Sequence, residues 1–152
     1  MVTSVPNGRS SVPATEPRGV PKIDHLGIAV NSLEASIPLY AALLGENPAG
    51  REEVPSEGVR VAFFGRGGGR VELLEPTGDD SPIAAFLDRR GPGLHHVCLS
   101  VADLDEAVLR AEETGATLVP PGIRSGAEGR RVAFLHPRTA GGVLIELVES
   151  ER

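Results

Sequence analysis

The amino-acid sequence predicts an α+β fold: two tandem βαβββ modules whose strands curl into one cupped, metal-containing sheet. Three observations carry that expectation. Lys22-Ile23-Asp24-His25-Leu26-Gly27-Ile28-Ala29-Val30 and Gly93-Leu94-His95-His96-Val97-Cys98-Leu99-Ser100-Val101 share one pattern: a histidine, then alternating large apolar and small residues, closing on valine. Arg70-Val71-Glu72-Leu73-Leu74-Glu75 is echoed by Leu144-Ile145-Glu146-Leu147-Val148-Glu149, a glutamate set among apolar residues in each. The interval from His25 to Glu72 is 47 positions and that from His96 to Glu146 is 50, the mark of two related modules.

Period two places His25, Gly27 and Ala29 on one face of the first strand, with Leu26, Ile28 and Val30 opposite. His96, Cys98 and Ser100 share a face in the same way, which puts His95 on the other side. Each histidine then looks out over small residues that leave space before it, while the bulky face is free to pack on a helix.

Asn31 or Ser32 can cap a helix running to Leu44 and stopped by Gly45, with Ile37, Tyr40, Ala41 and Leu44 on one face. Pro38 costs that helix a bond and a slight kink. The segment from Glu46 to Gly58 is polar, with a weakly signalled strand near Arg51 to Val54. Val59 to Phe64, the Gly65-Arg66-Gly67-Gly68-Gly69 turn and Val71 to Glu75 read as a hairpin. No Gly-Lys-Ser/Thr follows that turn and no helix starts there, so it is not a phosphate loop.

Ser81-Pro82 opens a connecting helix to Arg90. The second module repeats the order: a strand over 94–101, a helix from Asp103 to Thr114 ended by Gly115, a short strand over Thr117 to Val119, a polar loop over 123–129, and a hairpin of Arg131 to His136 with Val143 to Glu149. The expected organisation is a tail over 1–21, then one domain over 22–149, with modules 22–76 and 93–149 and a linker helix over 81–90.

The chain has 152 residues, 40% of them apolar, and no run of transmembrane length. Its net charge of −6 and pI near 5.2 argue against a nucleic-acid partner held by phosphate neutralisation. Cys98 is the single cysteine, so no intrachain disulfide forms. Prolines at 6, 13, 17 and 21 mark the first 21 residues as a disordered tail with neither the apolar core of a secretory signal nor the helix of a transit peptide. A cytoplasmic location with no membrane partner is the expectation.

Two imidazoles and two carboxylates converging on one point make a mixed N/O site that suits Co, Ni, Mn, Fe or Zn, with positions left for water or substrate. A lone strand histidine is more often structural, but Glu72 and Glu146 among Leu and Val are expensive to bury unless paired or bound to metal. The repeated pair therefore singles out His25, Glu72, His96 and Glu146. Cys98 reads as a small filler beside His96, and His136, before Pro137, as structural. A carbonyl oxygen held by such a metal has its α-proton acidified, and Glu72 and Glu146 on either side could remove a proton from one face and return one to the other, an arrangement that suits epimerisation or isomerisation next to a carbonyl.

Asp24-His25-Leu26-Gly27-Ile28-Ala29-Val30, Val71-Glu72-Leu73-Leu74-Glu75-Pro76, Asp80-Ser81-Pro82-Ile83-Ala84, Gly93-Leu94-His95-His96, Phe134-Leu135-His136-Pro137 and Gly142-Val143-Leu144-Ile145-Glu146-Leu147 form a specific set. On these segments the chain resembles the methylmalonyl-CoA epimerases, a family of the vicinal-oxygen-chelate, or glyoxalase-like, superfamily, across Lys22 to Glu149. The resemblance implies a homodimer that interconverts (2R)- and (2S)-methylmalonyl-CoA through a metal-stabilised enolate. It implies His25, Glu72, His96 and Glu146 as metal ligands, with Gln in some relatives at Glu72, and Glu146 as a base. Some family members carry a second acid/base glutamate where this chain has Val61. Arg130, Arg131 and Arg138 are candidates for CoA phosphates.

Within the superfamily, a glyoxalase I type isomerase uses the same donor set on a glutathione hemithioacetal, whereas an extradiol dioxygenase needs iron with two histidines and one glutamate. From a different class, a small-molecule-sequestering protein of this fold needs no metal.

Overall fold

A computed structural model describes residues 22–151; the expected tail lies outside them. The strands are β1 (Lys22–Ala29), β2 (Gly50–Val54), β3 (Val59–Phe64), β4 (Arg70–Pro76), β5 (Gly93–Val101), β6 (Arg124–Ser125), β7 (Arg131–Leu135) and β8 (Ile145–Glu149). They form one sheet in the order β2-β3-β4-β1-β5-β8-β7-β6. Each half of that order mirrors the other, and the seam is the antiparallel pairing of β1 with β5. Inside each module the histidine strand runs parallel to the glutamate strand, β1 with β4 and β5 with β8. A parallel neighbour needs a crossover, and in each module the helix after the histidine strand begins it.

Those helices are α1 (Leu33–Leu44) and α3 (Leu104–Glu113). Ser32 caps α1 through its hydroxyl, which accepts from the Ala35 N–H, and Gly45 closes the helix in the left-handed region at φ 69°. Asp103 caps α3 in the same manner, accepting from the Glu106 N–H. The second glutamate of each repeated strand adds to the start of its module's helix: Glu75 accepts from the Leu33 N–H at 3.2 Å, and Glu149 from the Leu104 N–H at 3.3 Å. The connecting α2 (Pro82–Arg90) starts at Ser81 with proline first.

Alternation along the strands sorts the core into layers. Ala62, Phe64 and Leu73 face α1 through Leu33 and Ile37, while Ala133, Leu135 and Leu147 face α3 through Leu104, Ala107 and Val108. The opposite, concave face carries Val59, Val61, Phe63 and Leu74, which pack with Ile83 of α2. Across the mouth of the cup the two ends of the sheet are tied. Glu57 pairs with Arg124, and Glu52 accepts from the Glu128 N–H at 2.9 Å.

Four local expectations are corrected. Thr117 to Val119 makes only a single bridge, Leu118 with Leu135, because Pro120 and Pro121 follow and leave the chain no donor with which to extend the ladder. Arg124–Ser125, inside the expected polar loop, takes the outer place beside β7 instead. The last strand starts at Ile145 rather than Val143. Leu44 lies 47% exposed, since the buried stripe of α1 is carried by Leu33 and Ile37.

Candidate metal centre

The centre lies at the seam. β1 supplies His25 and β5 supplies His96; the flanking strands β4 and β8 supply Glu72 and Glu146, opposite Gly27 and Cys98 respectively. These small residues are pseudo-symmetry mates, for His96 pairs with Gly27 and His25 with Cys98. A Cβ on Gly27 would sit 2.1 Å from Cε1 of His96, so the ring occupies the room the missing side chain leaves. Cys98 is fully buried at the equivalent place, its thiol pushed up to about 12 by burial. It takes the place on β5 that Gly27 takes on β1.

All four polar side chains are buried, with residue exposures of 4–7%, and their ends meet. The Nε2 atoms of His25 and His96 are 3.1 Å apart. Glu146 Oε2 stands 3.2 Å from the first and 2.9 Å from the second, and Glu72 Oε2 stands 3.2 and 3.5 Å from the same pair. Ligand atoms of His25, His96 and Glu146 all lie within 4.8 Å of one another, as do those of Asp24, His25 and Cys98, and Glu72 reaches both histidines from the other flank. Donor atoms about 2.0–2.2 Å from a common ion are spaced roughly 3.0–3.5 Å from each other at the corners of its coordination polyhedron, which is the spacing found. Two facing imidazole nitrogens can share only one proton, so a divalent cation between them and the two carboxylates satisfies all four groups.

Electrostatics agree. Burial alone pushes Glu146 up, but hydrogen bonds with His25 and His96 outweigh it and bring the carboxyl down to about 2. Burial likewise opposes charge on His25, yet hydrogen bonds to Asp24, Cys98, Glu146 and Glu72 hold its pKa far above the ordinary value. The site is thus built to hold positive charge against carboxylates.

A cavity of about 430 Å³ opens over these groups, walled chiefly by apolar side chains including Val59, Val61, Leu74, Ile83, Val132 and Phe134. The cations on its edge are spoken for. Arg70 and Arg130 both pair with Asp24, at 3.1 and 2.9 Å, and Arg124 pairs with Glu57 while lying 4.8 Å over the Phe134 ring. Arg131 pairs with Asp105 and Glu149 outside the cavity. Arg130 and Arg131 thus both have carboxylate partners within the fold. His136 holds its own turn, Nδ1 accepting from the Arg138 N–H at 3.2 Å.

Two residues are misplaced or missed by strict alternation. His95, expected behind the sheet, lines the cavity: its Nδ1 is 2.9 Å from Nδ1 of His96, and its ring meets Phe86 edge-on. Asp24, given no role in the sequence, places Oδ2 at 2.8 Å from Nδ1 of His25. A carboxylate in front of a histidine in an otherwise apolar strand is the signal that could have found it.

Paired βαβββ modules that set two histidines and two glutamates around one point at the seam of a curled sheet define a vicinal-oxygen-chelate protein. Residues 24–134 match the Glyoxalase/Bleomycin resistance protein/Dioxygenase superfamily. Mitochondrial methylmalonyl-CoA epimerase of Homo sapiens is 37% identical over 130 residues, 85% of this chain and 74% of that one. The ethylmalonyl-CoA/methylmalonyl-CoA epimerase of Cereibacter sphaeroides is 39% identical over 128 residues, 83% and 96% of the two chains. The solved structure of a Streptomyces coelicolor methylmalonyl-CoA epimerase variant in complex with 2-nitronate-propionyl-CoA superposes with a TM-score of 0.82 at 34% identity, covering 88% of this chain and 100% of that one. The chain belongs to the methylmalonyl-CoA epimerase family of this superfamily. Among the described residues no helix is long and apolar enough to cross a membrane.

Proposed function

We propose that this protein is a metal-dependent epimerase that interconverts (2R)- and (2S)-methylmalonyl-CoA through an enolate. The observation that carries the reading is the meeting of two imidazoles and two carboxylates, one of each from either module, beneath an apolar cavity. His25, Glu72, His96 and Glu146 are assigned to hold a divalent ion such as Co, Ni, Mn or Zn. When bound, that ion supplies Lewis acidity that favours negative charge on the thioester oxygen.

The chain's own groups handle the proton. Glu146 is ionised at neutral pH and stands on one flank of the histidine pair, as the base for one face of the α-carbon. Glu72 stands on the other flank. Val61 lies within the cavity wall and offers only methyl groups, so the second acid/base role is assigned to Glu72. Apolar walls exclude water from the enolate and strengthen each polar contact inside. At the cavity edge Arg70 and Arg130 are paired with Asp24 and Arg124 with Glu57, so the side chains that would meet the reacting end of the substrate are the four converging groups and the apolar walls.

The test is incubation of metal-loaded protein with pure (2R)-thioester in deuterated water, with and without chelator. Inversion with deuterium incorporation, abolished by the chelator, is the expected result; an unchanged stereochemical ratio after prolonged incubation overturns the proposal. Turnover of a glutathione hemithioacetal in its place would assign a glyoxalase I type isomerase. Glu146→Ala is expected to lose both metal and activity, whereas Val61→Ala keeps the metal.

A further inference from the structure

Each histidine of the centre is preceded by a polar residue that alternation would turn to the back of the sheet, and each of these is brought round by a β-bulge. Opposite Leu99 and Cys98, β1 sets three residues, Ile23 to His25, so Asp24 is the extra one. Opposite Gly27 and Ile28, β5 sets three residues, Leu94 to His96, so His95 is the extra one. The two bulges fall on the two seam strands, each one residue ahead of its histidine. Each extra residue meets the Nδ1 of the ring that follows: Asp24 Oδ2 at 2.8 Å and His95 Nδ1 at 2.9 Å.

We infer that Asp24 and His95 are paired positioning residues, which fix the two histidines of the centre with Nδ1 as the protonated nitrogen and Nε2 bare and aimed at the metal. The inference rests on the ligand set proposed above. Its chemistry is simple. A neutral imidazole has one donor nitrogen and one acceptor nitrogen, and the hydrogen bond made by one settles the role of the other. A carboxylate only accepts, so Asp24 requires a proton on Nδ1 of His25. His95 accepts from Nδ1–H of His96 when its own proton is on Nε2.

The two partners are chemically unlike. Asp24 is an anion locked from both modules: Arg130 donates to Oδ1 at 2.9 Å and Arg70 to Oδ2 at 3.1 Å. Arg70 is tethered in turn by Glu128 at 3.0 Å. His95 is an imidazole ring held edge-on by Phe86, with centroids 5.0 Å apart. The supports of the two histidines are therefore chemically different although the sheet around them repeats.

The test titrates the full metal-free chain with Co²⁺, reading affinity and the visible d–d spectrum. Removing such a partner lowers metal affinity about 10–100-fold. Asp24→Leu and His95→Phe, the latter keeping a ring against Phe86, are expected to fall in that range with altered spectra. Asp24→Asn and His95→Asn keep an acceptor near Nδ1 and are expected to recover most of the affinity. Arg130→Gln, which loosens Asp24 without removing it, gives a smaller loss and guards against a misfolded Asp24→Leu. Folded Asp24→Leu and His95→Phe proteins with parental affinity and spectrum overturn the inference. If His25→Ala binds Co²⁺ as tightly as the parent, it is the ligand set that fails, and the inference falls with it.

Discussion

Gly27 lacks a side chain because the His96 ring lies where one would be. Gly27→Ala should push that ring off the centre. The expected result is a cost of about 1–3 kcal/mol from overpacking and a loss of Co²⁺ affinity of at least about tenfold, the lower end for a misdirected histidine ligand. Urea unfolding and metal titration measure the two separately. His95 makes a pH prediction. Burial, then the neighbouring His96, lowers its pKa from 6.5 to about 4. A histidine favoured neutral in the fold contributes stability above 6.5, and that contribution is lost as pH falls through 6.5 towards 4. The metal-free His95→Phe protein should therefore show a shallower loss of stability than the parent across that window, read from urea midpoints. At this scale the sequence is a good guide to which side chains meet, since the repeated histidine and glutamate name all four converging groups. It is a poor guide to their neighbours. Asp24 and His95 sit at bulges, and a bulge is fixed by the register of two strands far apart in sequence, which leaves no local mark.

Capping chemistry makes the helices legible in the sequence. Ser32, Ser81 and Asp103 occupy the cap positions their side chains suit, and α2 runs from Pro82 to Arg90 as expected. The strands are harder to read where pairing decides. Leu118 forms one bridge and no strand, and the place beside β7 goes to Arg124–Ser125, whose composition resembles a loop. The Glu75 and Glu149 contacts with the helix starts show how a repeated glutamate can carry two duties in one strand, the centre at its first position and the helix at its last. Glu149→Gln should reduce stability by about 1 kcal/mol through a weakened helix start, seen as a lower urea midpoint with an unchanged m-value.

For the molecule as a whole, the two modules are joined by the β1–β5 pairing, by ion pairs such as Asp24 with Arg130 and by the ties across the mouth of the cup. A divalent ion held by the four converging groups would cross-link them further, and an ion that binds only the folded chain adds about 2.7 kcal/mol at a hundred times its dissociation constant. Melting of the chelated and reloaded proteins should differ accordingly, with the loaded form higher. Equal melting temperatures would show that the ion does not bind the folded state in preference.

The ties across the mouth of the cup act on a different hazard. An open sheet ends in two strands with unpaired backbone groups, and such borders recruit strands from other molecules. Here β6 is only two residues long, and β2 is approached by the segment around Glu128, whose N–H donates to the Glu52 side chain, with the Glu57 pair with Arg124 close by. The same rim contacts that close over the cavity crowd the approach to these borders, so loosening them should first appear as self-association in concentrated solution.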